Sequence, residues 1–364
     1  MKKKLLAVAV AGALTAPVAA FAQSSVTITG FFKGGFESLK YSNTAKANSS
    51  QHGVVDDSSR VIFNVREDLG GGLAAIGQVD MRFSIDMGAL SAAGNNHVGL
   101  QSKSWGRIFI GRQDLHYFGR ESEMTAKASL RTDSISILAF AGGGTTAIAG
   151  ATRTANVVHY TTPNWNGFSM VAAYSSSGGG GADADIGSGI RKGHAWNLAP
   201  VYAARNWTVG YSHWQSKPDA TLAGEQRGDR LFGSYKFPMG FKIGLAWDKS
   251  RIKTSGVGDT SRRTAWSLPM SYVWGNHEIH AHFDKAGDDK VMAGENGASM
   301  FAIAYAYNLS KRTSASLAYA RINNKDAAMY NLFTSAALGL GGGTGAIAVG
   351  EDPRMWALTL RHAF

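Results

Sequence analysis

From residue 26 to the last residue the chain is written in a period of two. Val26, Ile28, Gly30, Phe32, Gly34 and Phe36 alternate with Thr27, Thr29, Phe31, Lys33, Gly35 and Glu37. The same alternation places Val61, Phe63 and Val65 on one side, then Ala75, Gly77, Val79, Met81 and Phe83. It returns with Phe241, Ile243, Leu245 and Trp247, with Trp266, Leu268, Met270, Tyr272 and Trp274, and with Phe301, Ile303, Tyr305 and Tyr307. The chain closes on Trp356, Leu358, Leu360, His362 and Phe364. Successive side chains of a strand point to opposite faces, so each segment has one apolar and one mixed face. Segments of about ten residues in this pattern are what a transmembrane β-barrel requires. Pro200 and Pro269 fall inside two of the segments, and each removes a ladder donor.

A short alternation also suits a soluble sheet, so the connections decide. Tight turns at 69–72, 104–106, 163–167, 204–206, 238–240, 275–276 and 310–312 alternate with longer connections. The longer ones lie at 41–58, 85–94, 115–152, 176–189, 217–228, 253–259, 286–297 and 323–352. Seven tight turns between eight longer loops give sixteen antiparallel strands with both chain ends on the tight-turn side. Outer-membrane barrels carry short periplasmic turns and long external loops, and a soluble sandwich has no reason to sort its loops this way. Trp105, Trp165, Phe168, Trp207, Phe237, Phe241, Trp274, Tyr307 and Phe364 gather at the tight-turn ends, as in an interfacial aromatic girdle.

Residues 1–22 read as a cleaved signal peptide: Lys2, Lys3 and Lys4, an apolar run, then the small-residue site Ala20-Phe21-Ala22. The formal charge of +11 falls to +8 without those lysines, and residues 23–364 form one barrel domain. Beyond the leader no uninterrupted apolar run is long enough for a membrane helix. The nearest, 135–151, is broken by Gly142-Gly143-Gly144. A hydrophobic share of 44% and a mean hydropathy of −0.13 agree. The absence of cysteine excludes disulfides and thiolate metal sites.

Several stretches together resemble the trimeric general porins of Gram-negative bacteria, in their β-proteobacterial branch. They are Ser59-Arg60, the turn Glu67-Asp68-Leu69-Gly70-Gly71-Gly72-Leu73, Val98-Gly99-Leu100, Gly106 with Gly111-Arg112-Gln113, Asn308-Leu309-Ser310-Lys311-Arg312-Thr313, and Leu360-Arg361-His362-Ala363-Phe364. The likeness spans essentially the whole mature chain. It implies a sixteen-stranded barrel, a homotrimer, an inward-folded third loop narrowing the pore, and a terminal strand, with Trp356 and Phe364, that the outer-membrane assembly machinery reads. Outer-membrane lipids and lipopolysaccharide are the further partners expected. The chain departs from the pattern at Gly94-Asn95-Asn96-His97, where related porins often carry an Arg before Val-Gly-Leu.

Such a channel would pass ions and small hydrophilic solutes by diffusion, with no catalytic residues, metal or cofactor. Opposite the apolar face lie Lys33, Arg60, Arg66, Arg82, Arg153, Arg230, Lys236, Lys242 and Arg361, against Glu37, Asp80, Asp248, Glu278 and Asp284. Basic rings favour anions, and a low-dielectric wall focuses their field. The expected constriction sets Arg60, Arg82 and Arg153 against Asp80, Glu121 and Asp133, with Lys33, Arg66, Lys242 and Arg361 lining the lumen, and gives a weak anion preference. The run His277–Asp284 resembles a metal cluster, but on a strand Glu278, His280, His282 and Asp284 simply share the polar face. Gly343-Thr344-Gly345-Ala346-Ile347-Ala348 matches a dinucleotide fingerprint without its βαβ setting. No nucleic-acid recognition motif accompanies the basic charge. An outer-membrane barrel hydrolase and a loop-mediated adhesin are the rival readings. No Gly-x-Ser-x-Gly elbow supports the first.

Overall fold

The computed structural model describes residues 24–42, 50–116, 127–151, 153–176, 193–217, 224–333 and 347–364. Residues 1–22, read above as a leader, and Glu121 lie outside them. Sixteen strands run in chain order: β1 (Ser25–Ser42), β2 in two segments (Ser50–Asp56 and Arg60–Gly70), β3 (Leu73–Phe83), β4 in two segments (Leu90–Ser91 and Asn96–Ser102) and β5 (Gly106–Asp114). Then come β6 (Arg153–Thr161), β7 (Phe168–Ser175), β8 (His194–Ala203), β9 (Trp207–Lys217), β10 (Glu225–Lys236) and β11 (Phe241–Thr254). The last five are β12 (Gly258–Trp274), β13 (His277–Ala286), β14 (Ala298–Asn308), β15 (Thr313–Asn324) and β16 (Asp352–Ala363). Each pairs antiparallel with its chain neighbours, and β16 pairs with β1 from Phe31↔Ala363 to Ser42↔Asp352. The ring is closed, so no strand edge is left for lipid to meet.

Alternation fixes the two faces. Val26, Ile28, Val79, Ile110, Leu231, Leu245, Trp247, Leu317, Leu358 and Leu360 are exposed on the outer wall, where lipid covers them. Their neighbours in sequence, among them Asp80, Arg230, Asp248, Asp284 and Thr359, are buried on the inner side. At the tight-turn rim, Tyr202 and Trp207, Tyr235 and Phe237, Phe237 and Phe241, and Tyr272 and Trp274 have ring centroids 4.7–5.6 Å apart. This is the expected aromatic girdle. Phe364 joins it through Phe32 at 5.4 Å, while its backbone exchanges hydrogen bonds with Gly30. A Cβ on Gly30 would lie 2.2 Å from the Arg60 carbonyl oxygen and 2.8 Å from the Phe364 ring, so the closing corner needs glycine.

Two expectations need correction. The connection placed at 253–259 is a tight turn, with the Val257 amide donating to the Thr254 carbonyl at 3.2 Å, so loop length does not alternate strictly. The connection at 41–58 is shorter than read, because Ser50–Asp56 pairs with β1. Both prolines lie inside strands as read: Met170↔Pro200 and Pro269↔His282 keep their registers, and pairing lapses only toward β9 and toward β11. A proline removes one donor, and a ladder on the opposite side survives that loss.

The third loop supplies the interior. Its short helix α1 (Ile135–Leu138) is buried, and Ile137 and Leu138 pack with Phe232, Met300, Tyr330 and Leu332. The wall beneath is built of small residues, including Ala246, Ala265, Ala302, Ala304, Ala318, Ala320 and Ala357. Small side chains leave room for a loop inside the cylinder at the close packing of a protein core.

Candidate pore constriction

The described part of the third loop is fastened to the inner wall by charge. Lys33 on β1 forms an ion pair with Asp57 at 3.1 Å and donates to the Ala128 carbonyl at 3.1 Å. Asp57 also accepts from the Leu130 amide at 2.9 Å, and Glu37 accepts from Arg131 at 2.6 Å. Lys127 reaches Glu278 on β13 and Asn308, His282 meets the Thr132 carbonyl at 2.6 Å, and the Ser316 hydroxyl donates to the Lys127 carbonyl. His280 and His282 thus meet the Glu278 and Asp284 carboxylates, and His282 meets the loop backbone as well.

The far end of α1 is held by a buried triad. Asp248 bridges Arg230 at 3.2 Å and Arg263 at 2.9 Å. Arg263 donates to the Ile137 and Leu138 carbonyls at 2.9 Å each, and Arg230 to the Leu138 carbonyl at 3.2 Å. A helix ends with carbonyls that lack internal partners, and cations are favoured there. The two guanidiniums answer both needs, with all three side chains out of solvent.

A second charge group lies on the wall of β2, β3, β5 and β6. Arg82 grips Asp80 with two bonds of 2.6 Å. Arg60 stands directly opposite Arg82 across the ladder, and both donate to the Ser58 hydroxyl. Arg153 pairs with Asp114 at 3.5 Å, and its Nε and Nη1 have no hydrogen-bond acceptor among the described residues. Arg153 precedes an irregularity between Thr154 and Val157, where Asn156 has φ +53°. Parity does not carry across it, and the contact with Asp114 is what places Arg153. The stretch 94–97 supports this group. Asn96 Oδ1 accepts from the Asp80 amide at 2.9 Å, and Asn95 Oδ1 from the Asp114 amide at 3.0 Å. A Cβ on Gly94 would lie 2.1 Å from Asp80 Cγ. The segment 94–97 therefore braces the backbone of the two aspartates.

Arg60, Arg82, Arg153 and Asp80 thus come together. Asp133 does not join them: its carboxylate accepts from the Ile135 amide at 3.0 Å, beside His282, Asp284 and Lys33, and burial pushes it above the usual carboxylate range. Lys33 serves the loop. Arg361 and Arg60 flank the inward-facing Phe31, each 4.6 Å from its ring centroid. Arg66 is exposed near the tight-turn rim, 3.3 Å from Gln101, and Lys242 is half-buried near the same rim. Sequence reasoning missed Asp57, Asp114 and Arg263. Extending the period of two upward from Trp266 reaches Arg263 on the inner face. The aspartates sit where strand and loop meet, and there the period gives no signal.

The model of the Gram-negative porin family matches residues 7–327. An outer membrane porin protein of Bordetella pertussis is 28% identical over 86% of this chain and 92% of its own. Outer membrane porin protein 32 of Delftia acidovorans is 29% identical over 100% of both chains. Among solved structures, an anion-selective porin from Comamonas acidovorans covers 94% of this chain and 100% of its own, with TM-score 0.74 and 24% identity. The trimer form of OmpT from Vibrio cholerae covers 94% and 99%, with TM-score 0.65 and 13% identity. At these identities the two solved structures speak to the fold.

Proposed function

The chain belongs to the Gram-negative porin family, and from that premise we propose that its outer-membrane channel prefers anions, weakly, through the group of Arg60, Arg82 and Arg153. The channel passes ions and small hydrophilic solutes by diffusion; it is a channel rather than an enzyme, and no bond is made or broken. One observation carries the preference. The group on β2–β6 sets three guanidiniums against two carboxylates, and Arg153 Nε and Nη1 have no hydrogen-bond acceptor among the described residues. Excess positive charge beside a lumen with low-dielectric walls raises the local anion concentration.

Around this channel we propose a homotrimer, cleavage of residues 1–22, contact with lipopolysaccharide, and recognition of the last strand by the assembly machinery through Trp356 and Phe364. Trp356 is 55% exposed on the outer face beside Tyr319, and Phe364 ends the closing ladder. The test is reversal potential across a planar bilayer holding the purified protein in a KCl gradient. Anion preference is expected. Cation preference would overturn the reading of the arginines, and a folded preparation without conductance would overturn the channel itself.

A further inference from the structure

The outer wall carries a charge pattern that the channel does not use. On β10, β11 and β12 the outward residues stack in rungs, each set by ladder register. Leu231, Trp247 and Trp266 lie side by side, and they belong to the lipid-facing belt. One rung further toward the external loops come Asp229, Lys249 and Thr264, and the next rung is Arg227, Arg251 and Arg262. The arginine rung stands four residues above the Trp rung, about 13 Å along the strands. That is the distance from hydrocarbon to headgroup, on the side of the barrel that faces outward from the cell.

Three guanidiniums directly opposite one another repel, and like charges across a ladder destabilise it. Asp229 and Asp259 offset them in part: Arg227 pairs with Asp229 at 3.2 Å, and Arg251 and Arg262 flank Asp259 at 2.6 and 3.8 Å. Lys249 and Lys290 add two more positive charges to the same concavity of about 400 Å³. Six cationic residues line it, and with Arg263 committed to Asp248 on the inner side, five of them meet the two anions Asp229 and Asp259. The three arginine side chains remain 53–59% exposed, so their remaining donors are free to reach outward.

We propose that this concavity binds the phosphorylated headgroup of an outer-leaflet lipid, whose acyl chains lie against Leu231, Trp247 and Trp266. The inference rests on the reading that the barrel meets lipopolysaccharide, and assigns it a site. Phosphate oxygens accept paired bonds from guanidinium, and a phosphate here would relieve the repulsion along the rung. The aromatic rung beneath ties the site to a lipid rather than to a free anion, because headgroup and chains would be held together.

The test uses the full folded protein and the R227Q/R251Q/R262Q variant in detergent micelles, titrated by native mass spectrometry with bis-phosphorylated lipid A, with its dephosphorylated form and with pyrophosphate. Wild type is expected to bind lipid A roughly 100-fold more tightly than the variant does, the loss of three basic contacts at a headgroup. The dephosphorylated lipid is expected to bind both equally and weakly. Equal lipid A binding by the two proteins overturns the site. Displacement of lipid A by pyrophosphate at matching concentration overturns the lipid assignment. Single-channel conductance of the variant is expected to match wild type, which demonstrates its folding and separates failure of this site from failure of the channel.

Discussion

At the scale of single residues, Asp248 does the most with the least redundancy. It is the shared carboxylate of two fully buried guanidiniums, and both of those hold the end of α1. Removing one member of a buried ion pair leaves uncompensated charge and costs about 3–5 kcal/mol. Asp248→Asn keeps the shape and removes the charge. The expected outcome is a channel that inserts but conducts more, with excess open-channel noise, because α1 is released from the wall. A current trace indistinguishable from wild type would mean that the alanine wall and the ties of Lys33, Arg131 and Lys127 hold the loop unaided. Gly94 is the second sensitive residue. An added methyl meets Asp80 at 2.1 Å, and overpacking of this kind costs about 1–3 kcal/mol. Gly94→Ala is expected to lower the melting temperature and, by displacing the partner of Arg82, to change ion selectivity. Calorimetry and reversal potential on one preparation check both.

At the scale of elements, strands were legible and loops were not. A strand announces itself by parity, since lipid demands one face and the lumen tolerates the other; β16 and β1 could be read and paired on that basis. The third loop obeys no period. Its inward course depends on contacts between residues far apart in sequence, such as Arg263 with Ile137 and His282 with Thr132. Ala302 and Ala304 form a small inner face, and the loop packed against it gives that face a purpose. Among external loops, 287–297 and 325–351 are joined by Lys325 and Asp288 at 2.7 Å, and Asp288 also accepts from the Gly297 and Asn296 amides. Lys325 and these amides hold the Asp288 carboxyl below its ordinary range, and Asp288 holds the Lys325 ammonium above its own. The carboxylate contribution is present above the unfolded carboxylate value and is lost as pH falls through the depressed one. The ammonium contribution is present below the unfolded lysine value and is lost as pH rises through the raised one. The tie is therefore expected to persist from mild acid to mild alkali and to open in strong acid. Hydrogen exchange of the Asn296 and Gly297 amides should accelerate, relative to intrinsic rates, only below the carboxylate range. Equal protection in strong acid would show that the loops are joined by something else.

At the scale of the whole molecule, closure makes the wall rigid, and the wall makes a small charge difference matter. Many of the described charged side chains stand in pairs, on the inner wall or at the exposed rims, so net charge does not set selectivity. What counts is the uncompensated charge beside the path. Arg60 is the member of the arginine group whose loss disturbs the fold least: among the described residues it bonds only Ser58 and packs on Phe31, whereas Arg82 and Arg153 neutralise Asp80 and Asp114. One unit charge about 8 Å from an ion in a watery lumen changes its energy by about 0.5 kcal/mol, roughly a factor of two in occupancy. Arg60→Gln moves anion and cation occupancies in opposite directions and should therefore lower the anion-to-cation permeability ratio about sixfold, and Arg60→Glu, a change of two charges, about thirtyfold. A weak wild-type anion preference is then reversed by both variants, more strongly by the second. Salt screens such a field within about 10 Å at 0.1 M, so the contrast should shrink as KCl is raised. Reversal potentials for the three proteins at low and high salt check sign, order and screening together. A ratio unmoved by Arg60→Glu at low salt would place the selecting charge elsewhere in the lumen.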